Sequence, residues 1–208
     1  GKINITDRPV YIGARAGYWF NGSIDEVRIY NKELNASQVK QLYEQFAPKP
    51  TINKTEMVAY YKFENDSKDY SGYDNHGTLL GGVNCTAVGI NGSACLFDGV
   101  NDYVFLNMST NITKNVSISA WVRWAGSGNS YGGVVCKYMS YCIDAGTTKN
   151  ILEGRIYSAN GDIAFNGGYN LTKSATNQWI HTTLIYDGTT AKLYVNGVLN
   201  ATTLSAGG

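Results

Sequence analysis

Charge is scarce in this chain. Asp, Glu, Lys and Arg make up 16% of its 208 residues, nearly cancel to a net charge of +1, and nowhere form a basic cluster. That balance excludes a nucleic-acid surface, which needs a concentrated positive field. Apolar runs of membrane-spanning length are missing, and so is a signal peptide. Histidine is down to two residues, His76 and His181, and neither stands near Ser or Cys in a nucleophile-elbow context. No Cys-x-x-Cys spacing occurs among the four cysteines, which argues against tetrahedral zinc. Helical periodicity is confined to residues 35–46. Because the first residue is Gly1 rather than Met, the chain is expected to be a mature product or a window on something longer.

What is abundant is glycine, at 24 residues, and tyrosine, at 16. With a length sufficient for one large domain, this composition points to an all-β fold of many short strands joined by turns.

Asn-x-Ser/Thr acceptors are the second strong signal. They stand at Asn4, Asn21, Asn35, Asn53, Asn65, Asn84, Asn91, Asn107, Asn111, Asn115, Asn170 and Asn200. Chance pairing of the 21 Asn and 31 Ser/Thr of the chain would give roughly three. The excess points to an extracellular, cell-surface glycoprotein, with some strand-embedded acceptors such as Asn35 left bare. The even cysteine count agrees with an oxidising compartment. Two local pairs suggest themselves, Cys85 with Cys95 and Cys136 with Cys142, each bracketing a hairpin-like stretch, although three connectivities are formally open.

Near the front, Asn21-Gly22 reads as a turn, and Ser23–Tyr30 as a strand with two adjacent acids, Asp25 and Glu26. Neighbours on a strand point to opposite faces, so these two are not expected to work together. A helix follows: Asn35 is the N-cap, Gln38 completes a capping box, and Leu34 with Val39 forms a staple. Val39, Leu42, Tyr43 and Phe46 give it one apolar face. Residues 47–56 carry two of the three prolines and read as an extended linker. Beyond it, Met57–Glu64 is a strand, residues 65–78 are turn-rich, and Val116–Trp124 alternates as a half-buried strand should. Asn196-Gly197 is a hairpin turn between two apolar runs.

The strand Met57–Glu64 with its acidic turn, the Phe97-Asp98-Gly99 turn, the Ser119-Ala120-Trp121-Val122 strand and the Gln178–Tyr186 run resemble laminin-G-like domains of the concanavalin A-like lectin and glucanase superfamily. The resemblance implies a jelly-roll β-sandwich. It also implies a permuted order: residues 1–46 resemble the closing strands and helix, and residues 57–208 the body. Those front strands are expected to complete either their own domain or a neighbour's. In the second case, β-augmentation repeated head to tail would build a filament or tandem array of copies.

Three constellations could carry chemistry. Asp25, Glu64, Asp69, Asp74 and Asn75 form an all-oxygen group suited to a hard cation. The resemblance implies a structural Ca²⁺ there, pinning first and last strands, with Asp25, Glu64, Asp69 and Asn75 as ligands. The same turn residues would serve equally as caps of their own backbone. Second, the glucanases of the superfamily carry a Glu-x-Asp-x-Glu strand; none occurs here, so the chain is expected to be non-enzymatic. Third, Tyr131, Tyr138, Tyr141, Tyr157 and Tyr169 fall in or near loops, where aromatic faces suit carbohydrate. Trp19, Trp121, Trp124 and Trp179 sit in strand text as core or sheet-face residues. The expected function is a structural or adhesive surface module, and the competing one a carbohydrate-binding module.

Overall fold

The computed structural model describes residues 1–44, 54–108, 112–126, 131–146, 151–158, 161–165, 168–171 and 177–204. Ahead of the helix lie β1 (Val10–Ile12), β2 (Ala14–Arg15), β3 (Tyr18–Trp19) and β4 (Asn21–Tyr30); α1 spans Ala36–Glu44. A 3₁₀ turn at Lys54–Glu56 leads into β5 (Met57–Tyr61), followed by β6 (Gly77–Leu80), β7 (Asn84–Val88), β8 (Ser93–Asp98), β9 (Tyr103–Leu106) and β10 (Val116–Trp124). The remaining strands are β11 (Gly132–Lys137), β12 (Tyr141–Gly146), β13 (Ile151–Ile156), β14 (Ile163–Ala164), β15 (Tyr169–Asn170), β16 (Ile180–Tyr186), β17 (Thr190–Val195) and β18 (Val198–Leu204).

Sixteen of these strands form two eight-stranded antiparallel sheets with a shared core, a jelly-roll β-sandwich, and β2 and β3 pair as a separate two-stranded hairpin. The first sheet runs β14-β13-β12-β11-β1-β9-β6, with β15 also on β13. The second runs β18-β17-β16-β10-β4-β8-β7, with β5 also on β4. Front and back of the chain interleave. β1 lies between β11 and β9, and β4 between β10 on one side and β8 and β5, end to end, on the other. Ile24, Val27 and Ile29 of β4 and Ile118, Ala120 and Val122 of β10 enter the core at 0–1% exposure. Burying each of the larger of these side chains stabilises the fold by about 1.5–3 kcal/mol.

The helix forms as its caps dictate. The Gln38 amide donates to Asn35 Oδ1 at 2.9 Å, and the Asn35 amide to Gln38 Oε1 at 3.0 Å. Val39 and Leu42 pack with Leu34, Tyr30, Ile185 and Tyr194 in a second cluster, on the outer face of the second sheet. Phe46, the helix beyond Glu44 and residues 47–53 of the linker lie outside the described residues; Lys54–Glu56 is coiled rather than extended. Both cysteine pairs are disulfides.

Three local expectations are corrected. Asn21-Gly22 is no turn but the first two residues of β4, paired with Asp98 and Phe97. Its glycine is required by close approach: a Cβ there would lie 2.2 Å from the Arg123 carbonyl oxygen, at a φ of 143°. Val116–Trp124 is not half-buried; only Arg123 is partly exposed, because α1 and the residues before it cover the outer face. Asp25 and Glu26 do not point to opposite faces. Pairing passes from Ser119↔Arg28 to Trp121↔Asp25, a bulge that sets Glu26 and Val27 against Ala120 alone, with Glu26 at φ 51°. Both carboxylates therefore emerge on the outer face of the second sheet.

Gly22→Ala should cost several times the about 1–2 kcal/mol expected at Gly72, whose φ is also positive but where a Cβ meets nothing. Urea unfolding of the two variants checks this, and equal losses would mean that β4 and β10 are not so closely apposed.

Candidate functional sites

The acidic residues divide between two places. Asp25 is fully buried; its Oδ1 accepts from the Glu26 amide at 2.7 Å and its Oδ2 from the Ile90 amide at 2.9 Å. Burial first, and the Glu26 charge after it, push its pKa up to about 7 against these amide bonds. Glu64 accepts from the Ser93 amide at 3.1 Å. Both carboxylates thus close on the 89–93 turn, where a Cβ at Gly89 would meet Asp25 Oδ2 at 2.5 Å and one at Gly92 would meet Glu64 Oε2 at 2.3 Å. Asp69 and Asn75 serve another purpose. Asp69 accepts four bonds, from the amides of Tyr60, Ser71 and Asn75 and from Ser71 Oγ, so its carboxylate is spent on the turn. Asn75 Nδ2 donates to the Val58 carbonyl at 2.9 Å. Asp74 is exposed, 3.9 Å from His76 Nε2. Among the described residues no three His, Cys, Asp or Glu side chains gather as a metal cluster.

Beyond the apolar cluster under α1, the outer face of the second sheet is polar. Glu26 Oε2 pairs with Arg28 and accepts from the Tyr60 hydroxyl at 2.7 Å, while the Arg28 guanidinium lies 4.3 Å from the Tyr60 ring centroid. Next to them Trp121 and His181, directly paired across β10 and β16, have ring centroids 5.2 Å apart, and Tyr43 of the helix stacks on Trp121 at 5.6 Å. Burial, reinforced by the Arg28 charge, lowers the His181 pKa to about 3.

On the outer face of the first sheet, side chains distant in sequence make a pocket of about 230 Å³. Tyr11 comes from β1, Tyr103 from β9, Tyr138 from the turn between β11 and β12, Trp19 from β3, and Arg8 from the segment before β1. Tyr11 and Tyr103 meet edge to face at 5.6 Å, and Arg8 lies 5.0 Å from the Tyr138 ring centroid. The Cys136–Cys142 bridge closes the turn that carries Tyr138. Beside the pocket the β2–β3 hairpin is anchored by charge. Arg15 donates to Asp144 at 3.2 Å and to the Tyr157 hydroxyl at 2.8 Å; Arg155 donates to Asp144 at 2.9 Å and pairs with Glu153.

The sequence reading thus finds only part of this surface. Tyr138 lines the pocket, while Tyr131 packs on Tyr18 and under Arg15 and Arg155, and Tyr157 holds Arg15. Tyr141 is no loop residue but lies in the core at 1% exposure, and Tyr169 stands on the short edge strand β15. Tyr11, Trp19, Tyr103 and Arg8 are missed as a group; each belongs to a different element and no spacing links them. Of the tryptophans, Trp124 is core, Trp121 is covered by α1, and Trp179 lies 5.2 Å from the Arg123 guanidinium.

Among the acceptor asparagines, Asn35, Asn65, Asn84, Asn91, Asn107, Asn170 and Asn200 are exposed, and Asn4, Asn21 and Asn115 half-buried. Asn53 and Asn111 lie outside the described residues.

A family model described as the concanavalin A-like lectin/glucanases superfamily, of laminin-G type, matches residues 1–40 and 98–208. No curated protein and no solved structure matches the chain.

His181 generates a pH prediction. Folded, it stays neutral until the pH nears 3; unfolded, it takes a proton below its ordinary 6.5. Its neutral burial therefore leaves stability intact above 6.5 and erodes it as the pH falls, by about 1.4 kcal/mol per unit. Relative to His181→Gln, the wild type should lose about 2 kcal/mol between about pH 7.5 and about pH 5 in urea unfolding. A difference unchanged by pH would show that His181 is not held neutral.

Proposed function

Because the chain belongs to the concanavalin A-like lectin and glucanase superfamily, we propose that it is a non-catalytic extracellular adhesive module that holds a glycan in the aromatic pocket of the first sheet. One observation carries the reading: Tyr11, Trp19, Tyr103 and Tyr138, drawn from four elements, converge on one cavity. Apolar ring faces with hydroxyls at their edges match the two-sided chemistry of a sugar, apolar on its C–H faces and polar around them. The fold and the two disulfides fit an extracellular setting. N-glycans on the exposed acceptor asparagines belong to the same proposal. The non-catalytic reading is supported by two acids beside the β2–β3 hairpin, Asp144 and Glu153, which are tied to arginines.

A second reading, assembly of copies into a filament or array by strand complementation, rests on a different observation. Every strand that pairs with β4 follows the linker. The same contacts could therefore be made by residues 1–46 of a neighbouring copy, with residues 57–208 as the body that receives them. The permuted order read from the sequence belongs to this proposal.

Calcium is proposed at Asp25 and Glu64 alone. Their carboxylates close on one glycine-lined turn, whereas Asp69 has no lone pair to spare. Bound there, the cation would supply a charge bridge between β4 and the segment that follows β5.

Three measurements test these readings. On a glycan array or in a cell-wall polysaccharide pull-down, saturable binding should fall roughly tenfold in Tyr11→Ala/Tyr103→Ala; unchanged binding would remove the pocket from the argument. Light scattering should show chains longer than one copy if assembly operates, and a strictly monomeric species at high concentration would end that reading. Added Ca²⁺ should raise the melting temperature of the wild type and not of Asp25→Asn, and no shift in the wild type would dismiss the cation.

A further inference from the structure

Resting on the glycan reading above, we infer that the pocket selects an anionic sugar, one bearing a carboxylate or a sulfate ester, and that Arg8 is the residue that selects it. Of the five arginines in the sequence, Arg15, Arg28 and Arg155 are ion-paired with buried carboxylates. Arg123 donates to Ser23 Oγ and lies over Trp179. Arg8 differs from all of these. It is exposed, it stands on the pocket wall, and among the described residues its contact is with an aromatic ring, Tyr138, rather than an acid.

The charge around it is not neutralised within the pocket. Among the described residues no Asp or Glu lines the cavity. The nearest acid in sequence, Asp7, acts on Lys137: burial lowers the Lys137 pKa and the Asp7 charge opposes that shift. Among the described residues that line the cavity, Arg8 is the one that carries a charge. A guanidinium resting against a ring retains N–H groups for a ligand, and its fork geometry suits two oxygens of one oxyanion. An anion held there would lie beside Tyr11, Tyr103 and Trp19, so one sugar ring could stack while its acidic group reaches Arg8.

Arg8 is also fixed where it stands. Tyr138, against which it lies, is carried on the turn closed by the Cys136–Cys142 bridge, and the Thr6 hydroxyl donates to the Tyr138 carbonyl at 3.5 Å. Pro9 then leads directly into β1, whose Val10 is buried at 1% exposure. The cation is therefore held at the cavity before any ligand arrives, which lowers the ordering cost of binding.

The test uses the whole chain and three immobilised tetrasaccharide probes: an oligogalacturonate, a sulfated galactan and a neutral galactan. The wild type should bind at least one anionic probe tenfold or more tighter than the neutral one. That preference should vanish in Arg8→Gln, survive in part in Arg8→Lys, and weaken with added salt. Which anionic arm binds separates the carboxylate from the sulfate source. Thermal melts confirm that these exposed-site variants fold. Equal binding of all three probes by the wild type, with loss in Tyr103→Ala, overturns the anionic inference and leaves the glycan reading standing. A preference that persists in Arg8→Gln overturns it too, and binding to none of the probes overturns both.

Discussion

The antiparallel pairing of Asn21–Tyr30 with Val116–Trp124 is the contact on which the remainder of the molecule depends. It joins the front of the chain to the back in the middle of a sheet, where a strand has partners on both sides. Remove β4 and the second sheet splits between β10 and β8, exposing a row of unpaired backbone groups and half of the core. A central position also explains why the strand carries so little surface. Nearly all of its residues are buried, the two acids among them, with Arg28 half-buried, and each of those charges has found partners in the strand itself or its neighbours.

The bulge opposite Ala120 is the local price of that placement. It turns Glu26 toward Arg28 and Tyr60 while Asp25 faces the 89–93 turn, so two adjacent acids share one sheet face without competing for one partner. Over the same face α1 and the chain before it lay a small second cluster, from Tyr30 and Leu34 to Tyr194. That cover leaves the opposite side of the sandwich as the open one. There the aromatic pocket and the ionic layer of Asp144, Arg15 and Arg155 sit side by side, divided by the β2–β3 hairpin. Burial outweighs the pull of the Arg155 and then the Arg15 charge and holds the Asp144 pKa up at about 6. The cluster thus anchors the hairpin from within, and the rings remain toward solvent.

Much of the architecture was legible in local text because it is set by local physics. The capping box at Asn35 and Gln38 needs only hydrogen bonds between residues three apart, and it formed as read. Both disulfides bracket short stretches, so their pairing followed from proximity along the chain. The Asn196-Gly197 hairpin likewise depends on two backbone angles, 49° and 77°, that few other residues adopt. The turn assigned to Asn21-Gly22 failed for the complementary reason. Gly22 is small to admit the backbone of a strand about a hundred residues away, and no local rule reports such a neighbour.

The sequence alone determined the fold class, the helix cap and the family, and it suggested the cysteine pairs that formed, since period, turn chemistry and short motifs are properties of neighbouring residues. Only the tertiary structure decided which side chains meet. It split the four proposed metal ligands between two places, since Asp69 is consumed by the amides of Tyr60, Ser71 and Asn75. It also gathered Arg8, Tyr11, Trp19, Tyr103 and Tyr138 into one cavity. Strand order across a sheet is set by long-range pairing, and a pocket built on that order has no signature along the chain.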